Sequence, residues 1–149
     1  MAWLTDASAH TALPALMILN IVCTAPTFML YFLAALQDIP EDVYEAASLD
    51  GSTGANRFFK ITVPMLRPII FLVVVLGTIG TLQIFDQALI MTNGGPLNQT
   101  TTINLLIYRS AFTDYSFGYA SSIAVVLFVI IITLYLIQNR FLGGSNTES

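Results

Sequence analysis

Three uncharged apolar windows alternate with polar stretches along this 149-residue chain. The first extends from Ala7 to Gln37, with its apolar heart at residues 13–36. That heart exceeds the roughly 20 residues a helix needs to cross a hydrocarbon core of about 30 Å. Pro14 and Pro26 lie inside it and predict a kink near Thr24–Thr27, tolerable where neighbouring helices satisfy the freed carbonyls. The second window reads as a span from Ile69 to Phe85, extendable to Met91, with Asp86 near its outer interface. The third occupies residues 117–138, between Asp114 and Arg140. The pattern predicts an all-α integral membrane fold. Its three transmembrane helices are separated by a helical loop at 37–68 and a connection at 92–115.

Composition reinforces this reading. Charged residues are 9% and hydrophobic residues 56% of the chain, with a mean hydropathy of +0.77, where ordinary globular domains carry roughly 25% charge. The formal charge of −4 says little about partners, because much of it sits in the 37–68 loop, and nothing points to nucleic acid. Cys23 is the single cysteine, which excludes an intrachain disulfide and a cysteine-based metal cluster. It reads as a small hydrophobe facing lipid or another helix. Residues 1–12 have no basic stretch of the kind that opens a signal peptide.

The bases set the expected direction. Arg57, Lys60 and Arg67 lie in the first loop and Arg140 follows the third span, while the 92–115 connection holds only Arg109. The positive-inside rule then puts the 37–68 loop and the C-terminus in the cytoplasm, and the N-terminus with His10 outside. Tyr108, Tyr115, Phe117 and Tyr119 fit an aromatic belt at the outer edge. Three spans entering from outside without a signal suggest that further chain precedes them.

Within the loop, Pro40 suits the start of a helix, and Glu41, Asp42 and Glu45 lie near the positive end of its dipole. Val43, Ala46, Ala47 and Leu49 form an apolar side whose small residues allow close approach. Gly51 is the expected left-handed stop. Ser52 can cap a second helix through Arg57, Phe58, Phe59, Lys60 and Ile61, expected to break at Pro64. Two readings stay open: a docking knob for a soluble partner, or an amphipathic hairpin lying on lipid headgroups.

The residues Glu45-Ala46-Ala47, then Gly51, Ile61 and Val63-Pro64 resemble the EAA motif of binding-protein-dependent ABC importer permeases in every spacing. Val63 stands where that motif usually has leucine. Phe85-Asp86, Met91 to Pro96 and Phe117 to Ser121 resemble the sugar and glycerol-3-phosphate branch of the same family. The likeness covers nearly the whole chain but only the last three of the six or more spans typical of the family. It implies a C-terminal half, a fragment or a truncated product of a permease whose 40–51 helix couples to a cytoplasmic ATPase dimer. In that role Glu45 makes the charge-assisted contact, Ala46 and Ala47 permit close approach, and Gly51 makes the turn. Asp50, Phe58, Ile61 and Pro64 complete the coupling set. The resemblance further implies a bacterial or archaeal plasma membrane location, a second permease subunit and an extracytoplasmic solute-binding protein. ATP and magnesium belong to the ATPase. This chain has no phosphate loop of its own, because Gly51-Ser52-Thr53-Gly54 lacks the Gly-Lys-Ser/Thr that would follow.

For a substrate path, Asn20, Thr24, Thr27 and Tyr31 recur at helical spacing on span one. Gly77, Gly80 and Thr81 share a face of span two, and Gly118, Ser121 and Ser122 lie on span three. Uncharged donors beside aromatics suit a sugar, yet the same small and hydroxyl residues also serve helix packing. Gln83 and Gln87 are weaker candidates, and Asp86 reads as a structural or gating contact. A secondary transporter would place ionisable groups at mid-membrane, and none lies inside these spans. A membrane enzyme would need convergent His, carboxylate or Cys groups, which the sequence does not supply. A non-transporting membrane scaffold is the remaining alternative.

Overall fold

The computed structural model of the chain describes residues 11–49, 52 and 54–142, and all regular structure among them is helical. Helix α1 spans Ala12–Gln37. Pro14 falls in its first turn, where the missing N–H would have had no intrahelical partner. Pro26 lies inside the helix without ending it. Nearby, Thr24 Oγ1 donates to the Asn20 carbonyl at 2.7 Å, a back-bond of the kind that accompanies helix bending. The Asp38 amide closes α1 onto the Ala34 carbonyl. Beyond the buried Ile39 and the exposed Pro40, α2 runs over Glu41–Leu49.

The second half of the loop corrects the expectation of a break at Pro64. Helix α3 (Gly54–Arg57) passes directly into a π-helical turn (Phe58–Thr62) and then into α4 (Val63–Met65). Proline has no amide to donate and its ring crowds the carbonyl one turn back. Here the preceding residue, Val63, donates to Phe58 five residues back, so the ladder widens just before Pro64 and the helix survives. A turn at Leu66 leads into α5, Arg67–Leu82, with Pro68 in its opening turn.

The expected second span lies within the stretch Arg67–Met91, but its helix is interrupted. Helix α5 stops at Leu82, and α6 begins at Asp86 and runs to Met91. Neither proline nor glycine occupies residues 83–85, and a tertiary contact satisfies the backbone there. Asn104 Nδ2 donates to the Gln83 carbonyl at 2.9 Å, satisfying a group that an unbroken helix would have paired. Asn104 belongs to α7, Ile103–Phe112, which begins where the Leu105 amide donates to Thr102 Oγ1. The 92–115 connection therefore contains an ordered helix. Helix α8 spans Phe117–Leu142.

Three helical stretches, Ala12–Gln37, Arg67–Met91 and Phe117–Leu142, are long and apolar enough to cross a membrane. Helix α1 packs on α5 and α6, α5 on α8, and α7 on α8. The α1–α5 contact is close at Gly77, where an added Cβ would lie 3.5 Å from the Phe28 ring. Helices α5 and α8 are joined by Gln138 Nε2 donating to Thr78 Oγ1 at 2.7 Å, while that hydroxyl donates to the Val74 carbonyl. Most other span residues are exposed, leaving apolar surface for lipid or protein.

The Gln138–Thr78 bond is a polar tie between two apolar helices, and such ties are worth about 0.6–1.7 kcal/mol. Thr78→Val should lower stability by about that amount in reversible detergent unfolding, and Thr78→Ser, which keeps the hydroxyl, should recover most of it.

Candidate functional site

Helix α2 has two distinct faces. Glu41, Asp42, Glu45 and Ala46 are exposed, and Leu49 is 89% exposed. Val43 and Tyr44 are half-buried, and Ala47 is only 6% exposed. Positions 43, 44 and 47 fall on one side by helical spacing, so the apolar side expected to include Ala46 and Leu49 is narrower. Ala47 faces inward and Ala46 outward. Asp50 and Gly51 lie outside the described residues.

The inward face meets the α3–π segment. The Arg57 guanidinium sits 4.3 Å from the centroid of the Tyr44 ring. Such a contact is worth from about 0.5 kcal/mol in water to about 2 kcal/mol when desolvated. The Tyr44 hydroxyl lies 3.4 Å from Thr62 Oγ1, on a residue only 5% exposed. The Ser52 amide donates to the Ala47 carbonyl at 3.0 Å. Phe58 and Phe59 are exposed and meet edge to face at 5.3 Å. Ile61 is half-buried and Pro64 exposed. The loop thus presents acidic and small groups on α2 beside an aromatic pair, over an ordered internal contact.

At the other end of α5, Asn20 and Thr81 line a cavity of about 430 Å³ between α1, α5 and the segment Gln99–Thr102. Asn20 Oδ1 accepts from Gln87 Nε2 at 3.5 Å, while Gln87 Oε1 is buried without a partner among the described residues. The other four residues of the expected path do not line this cavity. The Thr24 hydroxyl donates to the Asn20 carbonyl one turn back, Thr27 is exposed, the Tyr31 ring lies 6.5 Å from Phe28, and Gly77 lies beneath Phe28. Gln99–Thr102 were not among the expected path residues, although the polar run Asn98 to Thr102 carries the signal.

A tight turn shapes the rim. Asn93 and Gly94 have φ of 46° and 77°. Arg109 of α7 donates to both the backbone carbonyl and the side-chain oxygen of Asn93. The buried Thr100 hydroxyl lies 2.7 Å from the Thr92 hydroxyl and 2.7 Å from the Gly95 carbonyl. An aromatic series, Phe85, Tyr108, Phe112 and Phe117, follows α7 to the start of α8 at centroid spacings of 5.2, 5.3 and 6.4 Å.

These features define a helical membrane protein with an ordered, acid-bearing helix between two spans and a polar-rimmed cavity where the second span breaks. Residues 1–143 match the family described as binding-protein-dependent transport system inner membrane component, and the chain belongs to that family. It is 43% identical over 108 residues to a putative ABC transporter permease protein, ORF1, of a Caldicellulosiruptor strain, covering 72% of this chain and 77% of that protein. It is 39% identical over 133 residues to the trehalose/maltose transport system permease protein MalF of Thermococcus litoralis, covering 85% of this chain and 44% of the relative. With the lactose transport system permease protein LacF of Rhizobium radiobacter it shares 42% identity over 113 residues, 74% of this chain and 38% of LacF. Apart from ORF1, the chain spans about half the length or less of these relatives.

At Gly94 an added Cβ would lie 2.7 Å from Thr101 Oγ1 and 3.0 Å from the Arg109 guanidinium, at a φ that disfavours side chains. Gly94→Ala should therefore cost about 1–3 kcal/mol in detergent unfolding. Leu97→Gly, which relieves a φ of 50° at an exposed side chain, should cost nothing in the same measurement.

Proposed function

We propose that this chain forms part of the transmembrane path of an ATP-driven, binding-protein-dependent importer whose cargo is a sugar or related polyol. The observation that carries the reading is the exposed acidic face of α2. It bears Glu45 of the Glu-Ala-Ala pattern, between two spans of a chain that belongs to this transport family. Arg57, Lys60, Arg67 and Arg140 favour a cytoplasmic α2 and C-terminus, with the N-terminus outside.

On this reading α2 seats in a groove of a cytoplasmic ATPase dimer, which binds ATP and magnesium. Glu45 meets a cation there, and Ala46, lacking bulk, lets the two surfaces approach. Phe58 and Phe59 widen the contact. Closure of the ATPases favours one arrangement of the spans over another, so nucleotide shifts a two-state equilibrium. A second permease subunit and an extracytoplasmic solute-binding protein complete the assembly. The cavity at Asn20 and Thr81 suits a sugar, because amide and hydroxyl groups bond its hydroxyls while Leu13, Leu16 and Ile84 contact its apolar faces. The relatives named for lactose and for trehalose/maltose support that cargo class. Gly77, packed under Phe28, serves the contact between helices.

Glu45→Arg reverses the charge on the exposed face and should reduce co-purification of the ATPase by about tenfold or more, the effect of about 1.4 kcal/mol or more. Retention of the ATPase by a variant lacking residues 40–64 would overturn the proposal.

A further inference from the structure

Helix α2 needs a firm mechanical connection to the spans if a push on it is to move them. The peptide link through residues 50–53 leads toward α3, but the described contacts supply a second route. Tyr44 lies one residue before Glu45 on the inward face of α2. Its ring carries the Arg57 guanidinium at 4.3 Å, and its hydroxyl lies 3.4 Å from Thr62 Oγ1. Arg57 and Thr62 bracket the π-helical turn, one immediately before it and the other at its last residue. That turn continues through α4 and the Leu66 turn into α5, whose far end carries Thr81 in the cavity wall.

We infer that Tyr44 and Arg57 form a clamp that fixes α2 to the π-helical turn, so that displacement of α2 is delivered to α5 and hence to the cavity. Tyr44 and Arg57 are positioning residues: they touch neither cargo nor nucleotide. The inference rests on the coupling reading for its consequence, but the clamp itself is a property of this chain.

The chemistry separates the two contacts of Tyr44. The ring attracts the guanidinium through its π-face, and Phe retains that face while losing the hydroxyl. Tyr44→Phe should therefore keep most of the clamp, whereas Tyr44→Leu removes the π-face without lowering helix-forming tendency. Arg57→Gln removes the charge, and Arg57→Lys keeps a cation without the planar stack. This order, Phe above Lys above Leu and Gln, distinguishes a cation–π clamp from simple filling of space.

The experiment uses the full chain in a Cys23→Ser background, because Cys23 is exposed. Spin labels on Glu41→Cys and Lys60→Cys, both at exposed positions, report the distance between α2 and the π-helical turn without nucleotide. Tyr44→Leu and Arg57→Gln should each broaden that distribution about twofold, as expected when a helix is released to move independently. Tyr44→Phe should leave it narrow. A distribution as narrow as the parent's in both Leu and Gln variants would overturn the clamp.

A second arm assembles the chain with its ATPase and follows maleimide modification of Thr81→Cys with and without ATP and magnesium. The clamp variants should hydrolyse ATP while their nucleotide-driven change in modification rate falls to about half or less of the parent's. An undiminished response would overturn the transmission route. Failure of the parent to assemble with an ATPase would sink the coupling reading and the transmission with it, while the nucleotide-free widths would still decide the clamp.

Discussion

A backbone amide or carbonyl freed where a helix is interrupted needs another partner, most strictly inside hydrocarbon, where no water is available. At Pro64 the π-helical turn hands the Val63 amide to the Phe58 carbonyl and brings Thr62 beside Tyr44. At Gln83 the exposed carbonyl takes the amide of Asn104, which ties α7 to the break in the second span. At Asn93 the carbonyl receives the Arg109 guanidinium, which fixes the turn over the cavity rim. The interruptions therefore coincide with the places where the chain positions its polar groups.

Helix α5 lies between the two regions of interest. One end follows the π-helical turn that holds α2, and the other carries Thr81 in the cavity wall. Its sides meet α1 through Gly77 and Phe28, and α8 through Thr78 and Gln138. A continuous helix transmits displacement along its axis because each turn is bonded to the next. On the proposed function, that helix is the rod between a cytoplasmic grip and the cavity proposed to admit a sugar. The break after Leu82 then lets the cavity end reorient without carrying α6 rigidly with it.

Much of this was legible in the residue pattern. Apolar windows of membrane-spanning length have few alternatives to helix, and the Glu-Ala-Ala-to-Pro64 spacing marked the loop as a distinct unit. Three features were not legible, each for a physical reason. Proline inside a helix ordinarily ends or kinks it, and nothing local to Phe58–Thr62 announces the π-helical turn that accommodates Pro64 instead. At the break after Leu82 the Gln83 carbonyl finds its partner in Asn104, 21 residues away, so no window around Gln83 reveals that contact. Helix α7 carries a local signal in Thr102, but Arg109 reads in sequence as a topological charge, and its bond to Asn93 shows only in three dimensions. The polar stripe on α1 likewise divides according to neighbours: the Asn20 side chain meets Gln87 and the cavity, while the Thr24 hydroxyl turns back to the Asn20 carbonyl.

Coupling to nucleotide requires that α2 be a grip for a cytosolic motor. Side-selective labelling of a cysteine at Glu41, in right-side-out and inverted membrane vesicles, tests this most directly. Reaction only in inverted vesicles, with protection once the purified ATPase is added, is the predicted result. Reaction from the outer face, or no protection by the ATPase, would contradict the account.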